Sequence, residues 1–208
     1  MNNFFSGFHK PEGFGGWLLL TGMNIGHSAV SNWGLKHLAL RPQDTILDIG
    51  CGGGKNIQRM LKRAPEGRVC GLDYAGASVK KSRKLNAKAI REGRCEIRQG
   101  SVSENPWPDN TFDIVTAFET IYFWPDLAGD FLEVRRTLKP GGVFLICNEM
   151  NKPEQGEVPY QYWINKLSLK TYTAPEFHGY LAEAGFIHVQ IWSEGKNRLC
   201  ISARAKKD

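Results

Sequence analysis

Between Thr45 and Lys55 the chain reads Thr-Ile-Leu-Asp-Ile-Gly-Cys-Gly-Gly-Gly-Lys. A short apolar, β-branched run ending at Ile49 breaks into closely spaced glycines, and Lys55 to Arg63 then reads as a helix. Glycine is used this densely where a strand must turn sharply into a helix beside a ligand. Gly50 and Gly52 permit unusual φ values and close backbone approach, and Gly54 lets the helix pack. The loop therefore implies a nucleotide cofactor. A dinucleotide fingerprint, G-x-G-x-x-G, would put its third glycine on Lys55, and a phosphate-binding G-K-[ST] would end on Asn56, which has no hydroxyl for a metal ion. What remains is D-x-G-x-G-x-G over Asp48, Gly50, Cys51, Gly52 and Gly54.

The unit recurs. Arg68 to Leu72 reads as a second strand ending at Asp73, Ala77 to Arg91 as a helix stopped by Gly93, and Cys95 to Arg98 as a third strand. Phe112 to Phe118 is a fourth strand, Leu127 to Leu138 a helix closed by Lys139-Pro140-Gly141-Gly142, and Val143 to Asn148 a fifth strand. Such alternation predicts an α/β fold: a doubly wound, mostly parallel sheet with helices on both faces and ligands at the carboxyl ends of the strands. After a less regular stretch, Thr173-Ala174-Pro175-Glu176 is a capping box that opens a helix to Ala184, stopped by Gly185. Phe186 to Trp192 and Arg198 to Ala203 then alternate around Glu194-Gly195 as a closing antiparallel hairpin.

With 208 residues, 41% of them hydrophobic, the chain suits one domain: a flap over residues 1–40, a cofactor-binding core over 44–148, an insertion over 150–172, and a closing helix and hairpin over 173–208. The flap carries Phe4, Phe5, Phe8, Phe14, Trp17 and Trp33, and its apolar spacing suits two short helices broken near Gly22 to Gly26. The apolar run Gly15 to Leu20 is too short for a membrane span and lacks signal-peptide flanks. Cys51, Cys70, Cys95, Cys147 and Cys200 are scattered singly, without metal-ligand spacing, so no metal is expected and a reducing, cytoplasmic setting is. The net charge of +6 is concentrated in Lys80, Lys81, Arg83, Lys84, Lys88, Arg91, Arg94 and Arg98. This run is read as a solvated helix face, the alternative being a polyanion footprint.

With these features the sequence resembles the class I S-adenosylmethionine-dependent methyltransferases, especially small members with a ubiquinone-biosynthesis-type (type 11) domain. The resemblance covers about residues 44 to 148. Asp73 stands where the family has an acidic residue accepting from both ribose hydroxyls, with Tyr74 and Ser78 beside it. Gly100-Ser101-Val102 matches the adenine-contacting segment, with Ser101 where Asp or Asn is commoner. Pro106-Trp107-Pro108-Asp109-Asn110-Thr111-Phe112-Asp113 and Leu138-Lys139-Pro140-Gly141-Gly142 match the runs entering the fourth and fifth strands. The resemblance implies a Rossmann-like fold, S-adenosylmethionine as cofactor with S-adenosylhomocysteine as product, and methyl transfer to a small molecule.

Methyl transfer from a sulfonium is an in-line displacement in which the protein mainly aligns the reactants, and a general base is optional. The end of the fourth strand faces the methyl in this fold, which brings forward Phe118 on the cofactor, Glu119 and Tyr122 as catalytic candidates, and Trp124 as a substrate wall. Glu119 could equally order its loop. His27 is a third catalytic candidate, and Asn24 is placed near the methionine end of the cofactor. Tyr160, Trp163 and Tyr172 in the insertion suit a flat or apolar acceptor, or else pack on the sheet. Base-methylating enzymes usually carry N/D-P-P-Y/F where this chain has Phe118-Glu119-Thr120-Ile121, so nucleic acid is not the expected partner. An RNA or protein methyltransferase and a non-catalytic S-adenosylmethionine-binding role stay open alternatives, and a monomer or homodimer is expected.

Overall fold

The computed structural model describes residues 28–158, 161–195 and 198–206. In chain order the elements are α1 (Ser28–Gly34), β1 (Thr45–Ile49), α2 (Lys55–Arg63), β2 (Arg68–Asp73), α3 (Gly76–Leu85), α4 (Ala87–Arg91), β3 (Cys95–Gln99), β4 (Phe112–Phe118), α5 (Leu127–Thr137), β5 (Leu138–Asn148), α6 (Gln161–Leu167), α7 (Ala174–Glu183), β6 (Phe186–Glu194) and β7 (Arg198–Ala205). They build one seven-stranded sheet of order β3-β2-β1-β4-β5-β7-β6. The pairs from β3 to β5 are parallel, and β7 runs antiparallel to both β5 and β6.

The chain enters the sheet at β1, moves outward to β3 and then crosses back to β4 on the other side of β1. Helices therefore leave β1 and β4 toward opposite faces, and a crevice opens between their carboxyl ends. One face buries Phe112, Phe131, Phe144 and Trp124 beneath α5 and α7. The other buries Ile57, Met60, Val69 and Leu145 beneath α2 and its neighbours. Because both faces are covered, β1, β2 and β4 are almost continuously buried instead of alternating. Helix α1 lies against β5 so closely that a Cβ on Gly34 would stand 2.6 Å from Cys147 Sγ.

Three expected boundaries move. The helix expected from Ala77 to Arg91 divides at Asn86, whose carboxamide donates to Gly54 O (3.1 Å) and Ser82 O (3.0 Å) and so competes with the helical backbone. Leu138 to Gly142 belongs to the start of β5: its register against β4 shifts between Phe112 and Ile114, Gly141 takes φ +77°, and Lys139 bonds Asp113. Strand β6 runs on to Glu194, with a register shift after Ile187 where His188 adopts φ +53°. Of the two helices expected between Gly15 and Leu40, the first lies outside the described residues; α1 and a following 3-10 turn at Leu35–His37 represent the second. The insertion contains α6, and the capping box at Thr173 is formed with both reciprocal bonds. All five cysteines are buried thiols.

Candidate functional site

At the carboxyl ends of β1, β2 and β4 lies a cavity of about 290 Å³. Its floor is Ile49, Gly50 and Leu72, one wall is Asp73, Tyr74, Gly100, Ser101 and Val102, and the other is Thr120, Phe123, Trp124 and Pro125. The glycine loop closes the floor by backbone geometry. Gly50 and Cys51 both donate to Leu72 O (2.8 and 3.1 Å), which pins the loop to β2. Gly50 takes φ +70° and passes directly under Thr120, where a Cβ would fall 2.1 Å from Thr120 Oγ1. Gly52 also has positive φ, but a Cβ there would meet nothing within 4 Å. Gly54, at φ +80°, starts α2 so close to α3 that a Cβ would stand 2.2 Å from Ser82 Oγ.

Among the described residues, Asp73 is the one carboxylate in the cavity wall. One oxygen accepts from Gly52 N–H at 2.8 Å and the other from Ala75 N–H at 2.9 Å, and the Ser78 hydroxyl adds a further bond. Burial raises its pKa, and these three donors oppose the rise by favouring the ionised form. A carboxylate so anchored keeps lone pairs for a ligand's hydroxyls. The wall beyond it is fixed by Gly100 N–H donating to Asp73 O and by Gln99 Nε2 donating to Tyr74 O (3.0 Å). Tyr74 is 43% exposed and lines the cavity.

Several candidates stand elsewhere. Asp48, expected on the cofactor, does not line the cavity: its carboxylate is buried between β1 and β4, accepts from Thr116 Oγ1 at 2.7 Å, and is pushed up to about 7 by desolvation. It ties two strands together at the site's base. The Cys51 side chain packs in the core beside Ser82, where burial raises its thiol pKa, so only its backbone serves the loop. Phe118 packs under α1 in the same core. Ser78 reaches the cavity only through Asp73. Trp124 does line the cavity, while its ring packs on Phe131 and Phe144.

Glu119 and Tyr122 form a strut behind the cavity. Glu119 adopts φ +55°, uncommon for a residue with a side chain, and is 6% exposed. Its Oε1 accepts from Glu149 N–H (2.5 Å), and its Oε2 accepts from Tyr122 Oη (3.0 Å), which itself accepts from Glu149 and Met150 N–H (3.1 Å each). Burial pushes Glu119 up to about 8. The pair thus clamps the loop after β4 to the end of β5, the ordering role weighed for Glu119. Tyr172 packs its ring on Phe177 and Tyr180. Asn24, His27 and Tyr160 lie outside the described residues, as does the side chain of Trp163. Among the described residues no cluster of His, Cys, Asp or Glu could hold a metal, and no helix is long and apolar enough to cross a membrane. Sequence reasoning missed Asp130, which is fully buried in α5 yet bonded to the loop that follows Ser101.

A glycine floor, an anchored carboxylate and the wall from Gly100 to Val102 stand in one cavity, and a methyltransferase-domain family model matches residues 47–146. The chain belongs to the class I S-adenosylmethionine-dependent methyltransferases. The family's cofactor is S-adenosylmethionine, and the cavity fits it, because anchored Asp73 can take two hydroxyls and Gly52 leaves open space beside it. An uncharacterised methyltransferase of Schizosaccharomyces pombe is 33% identical over 74% of this chain and 56% of its own length. A demethylmenaquinone methyltransferase of Symbiobacterium thermophilum is 32% identical over 60% of this chain and 49% of its own length. The chain thus spans about half the length of these curated relatives. In fold it is similar to a chain of the complex between the Haloferax volcanii Trm112 methyltransferase activator and a methyltransferase (TM-score 0.83, 20% identity, 94% of this chain and 96% of that one). It is also similar to geranyl diphosphate C-methyltransferase of Streptomyces coelicolor (TM-score 0.74, 17% identity, 86% and 79%).

Proposed function

We propose that the chain transfers a methyl group from S-adenosylmethionine to a small-molecule acceptor by in-line displacement. The observation that carries this reading is Asp73, held by Gly52 and Ala75 N–H at the mouth of a glycine-floored cavity. The cofactor supplies an activated methyl; this chain's residues bind and orient. Asp73 takes the ribose hydroxyls, Gly100 to Val102 flank the adenine, and the loop from Thr120 to Pro125 forms the wall toward the acceptor. Trp124 and Phe123 give that wall an aromatic surface, and Glu119 with Tyr122 keeps it in place. An apolar acceptor suits such a wall, and the chain's relatives include proteins named for methylation of demethylmenaquinone and of a sterol.

Calorimetry with S-adenosylmethionine, S-adenosylhomocysteine and NAD tests the cofactor half. The first two bind and NAD does not, and Asp73→Ala weakens S-adenosylhomocysteine at least about tenfold through loss of charge-assisted bonds. Binding of NAD alone would sink the proposal. A screen for transfer of labelled methyl to a library of apolar acceptors tests the other half. If no acceptor turns over while the cofactor binds, the non-catalytic binding role is favoured.

A further inference from the structure

Ser101 stands where the family more often has Asp or Asn, and a hydroxyl can either donate to a ligand or accept from it. The surrounding bonds remove that ambiguity. Ser101 caps the 3-10 turn Val102–Glu104, and its Oγ accepts from Ser103 N–H at 3.2 Å. Its own proton has a partner in Ser103 Oγ at 3.5 Å. The Ser103 hydroxyl donates to Asp130 Oδ1 at 2.5 Å. Asp130 is 0% exposed, and its second oxygen accepts from Asp126 N–H at 3.2 Å, so both oxygens act as acceptors. A hydroxyl has one proton and two lone pairs. With Asp130 fixed as acceptor, the Ser103 proton points to Asp130, the Ser101 proton points to Ser103, and one Ser101 lone pair is left for the cavity that Ser101 lines.

We infer that Asp130 and Ser103 are positioning residues that set Ser101 as a hydrogen-bond acceptor and so select a 6-aminopurine over a 6-oxopurine at this end of the cavity. The inference rests on the reading of this cavity as the S-adenosylmethionine site. An adenine amino group donates into the Ser101 lone pair, whereas a hypoxanthine carbonyl would bring a second acceptor against it. Such a mismatch discriminates between the two bases, because two acceptors then face each other with no proton between them. A serine thus does the work of the commoner carboxylate or carboxamide by borrowing its polarity from an aspartate 29 positions further along the chain. Asp130→Asn reverses the relay. Its oxygen is held by Asp126 N–H, its NH₂ donates to Ser103, the Ser103 proton turns to Ser101, and the Ser101 proton turns to the cavity.

The test is calorimetry of the full chain with S-adenosylhomocysteine and its deaminated counterpart S-inosylhomocysteine. The wild type is expected to bind the adenosyl compound on the order of tenfold to a hundredfold more tightly. Ser103→Ala and Asp130→Asn bring the two ligands within about threefold, or invert their order, while Ser103→Thr, which keeps the hydroxyl, retains the preference. A purely structural role would weaken both ligands equally and leave their ratio unchanged. Ser103 is exposed, so Ser103→Ala decides the matter even where Asp130→Asn fails to fold. If Ser101→Ala abolishes the preference but Ser103→Ala keeps it, the relay is wrong and the cavity reading stands. A wild type with no preference overturns the relay as well. If neither ligand binds the wild type, the cavity reading itself falls.

Discussion

Beneath the cavity a buried carboxylate ties β1 to β4 instead of lining the site. Asp48 is pushed up to about 7 from an ordinary 3.8 by desolvation, and the Thr116 hydroxyl opposes this by bonding the ionised form. A carboxyl whose folded pKa lies above its unfolded value keeps a proton that the unfolded chain releases. Its contribution to stability is therefore complete below pH about 4 and is lost as pH rises through about 7. Glu119 behaves alike between 4.5 and about 8. Thr116→Val removes the bond that the ionised Asp48 needs, so we expect a loss of about 1.5–3 kcal/mol at pH 8 and a clearly smaller one at pH 5.5. Urea unfolding at the two pH values measures it, and an equal loss at both would show that Asp48 is not the titrating partner. Tyr122→Phe strips one oxygen that accepts from two backbone N–H groups and donates to Glu119. We expect destabilisation of about 2–4 kcal/mol from the groups left unpaired, read by the same unfolding curves. Retention of wild-type stability would mean that the loop after β4 is held by other contacts.

At the scale of elements, what could be read from the sequence was whatever is fixed locally. The bounds of β1, α2 and β4, the capping box of α7 and the turn at Gly185 follow from runs, caps and glycines only a few residues apart. The break at Asn86 and the Asp130–Ser103 bond come from side chains meeting partners 32 and 27 positions away, which no periodicity signals. The same distinction separates the loop glycines. Both Gly50 and Gly52 have positive φ, so alanine at either costs about 1 kcal/mol of backbone strain. Only Gly50 lies beneath another element, with Thr120 Oγ1 in the way of a Cβ. We expect Gly50→Ala to lose about 2–4 kcal/mol and Gly52→Ala about 1 kcal/mol, since overpacking adds to the strain at the first alone. Thermal unfolding of the two variants separates them, and equal shifts would mean that the loop can move away from Thr120.

For the molecule as a whole, the basic run from Lys80 to Arg98 decides whether the +6 net charge implies a polyanionic partner. Much of the run is used internally. Arg94 donates to Leu61, Ala64 and Gly67 carbonyls, closing the carboxyl end of α2. Arg83 donates twice to Ile97 O on β3, the edge strand, and so covers a backbone acceptor that another strand could otherwise use. Arg98 bonds Glu96 and Pro106 O and lies 5.0 Å from the Trp107 ring centroid. Three of the eight cations thus brace the end of α2 and the β3 edge, and Lys88 is paired with Glu92. A phosphate backbone would have to displace these bonds before gaining its own, and the cations outside them are too few for the multiple contacts that make such binding tight. We therefore expect no RNA retained in a filter-binding assay at physiological salt, whereas Arg94→Ala should lower stability by about 1.5–3 kcal/mol through its uncapped carbonyls. Retained RNA whose affinity falls steeply with salt would show instead that these arginines release their internal partners for phosphate.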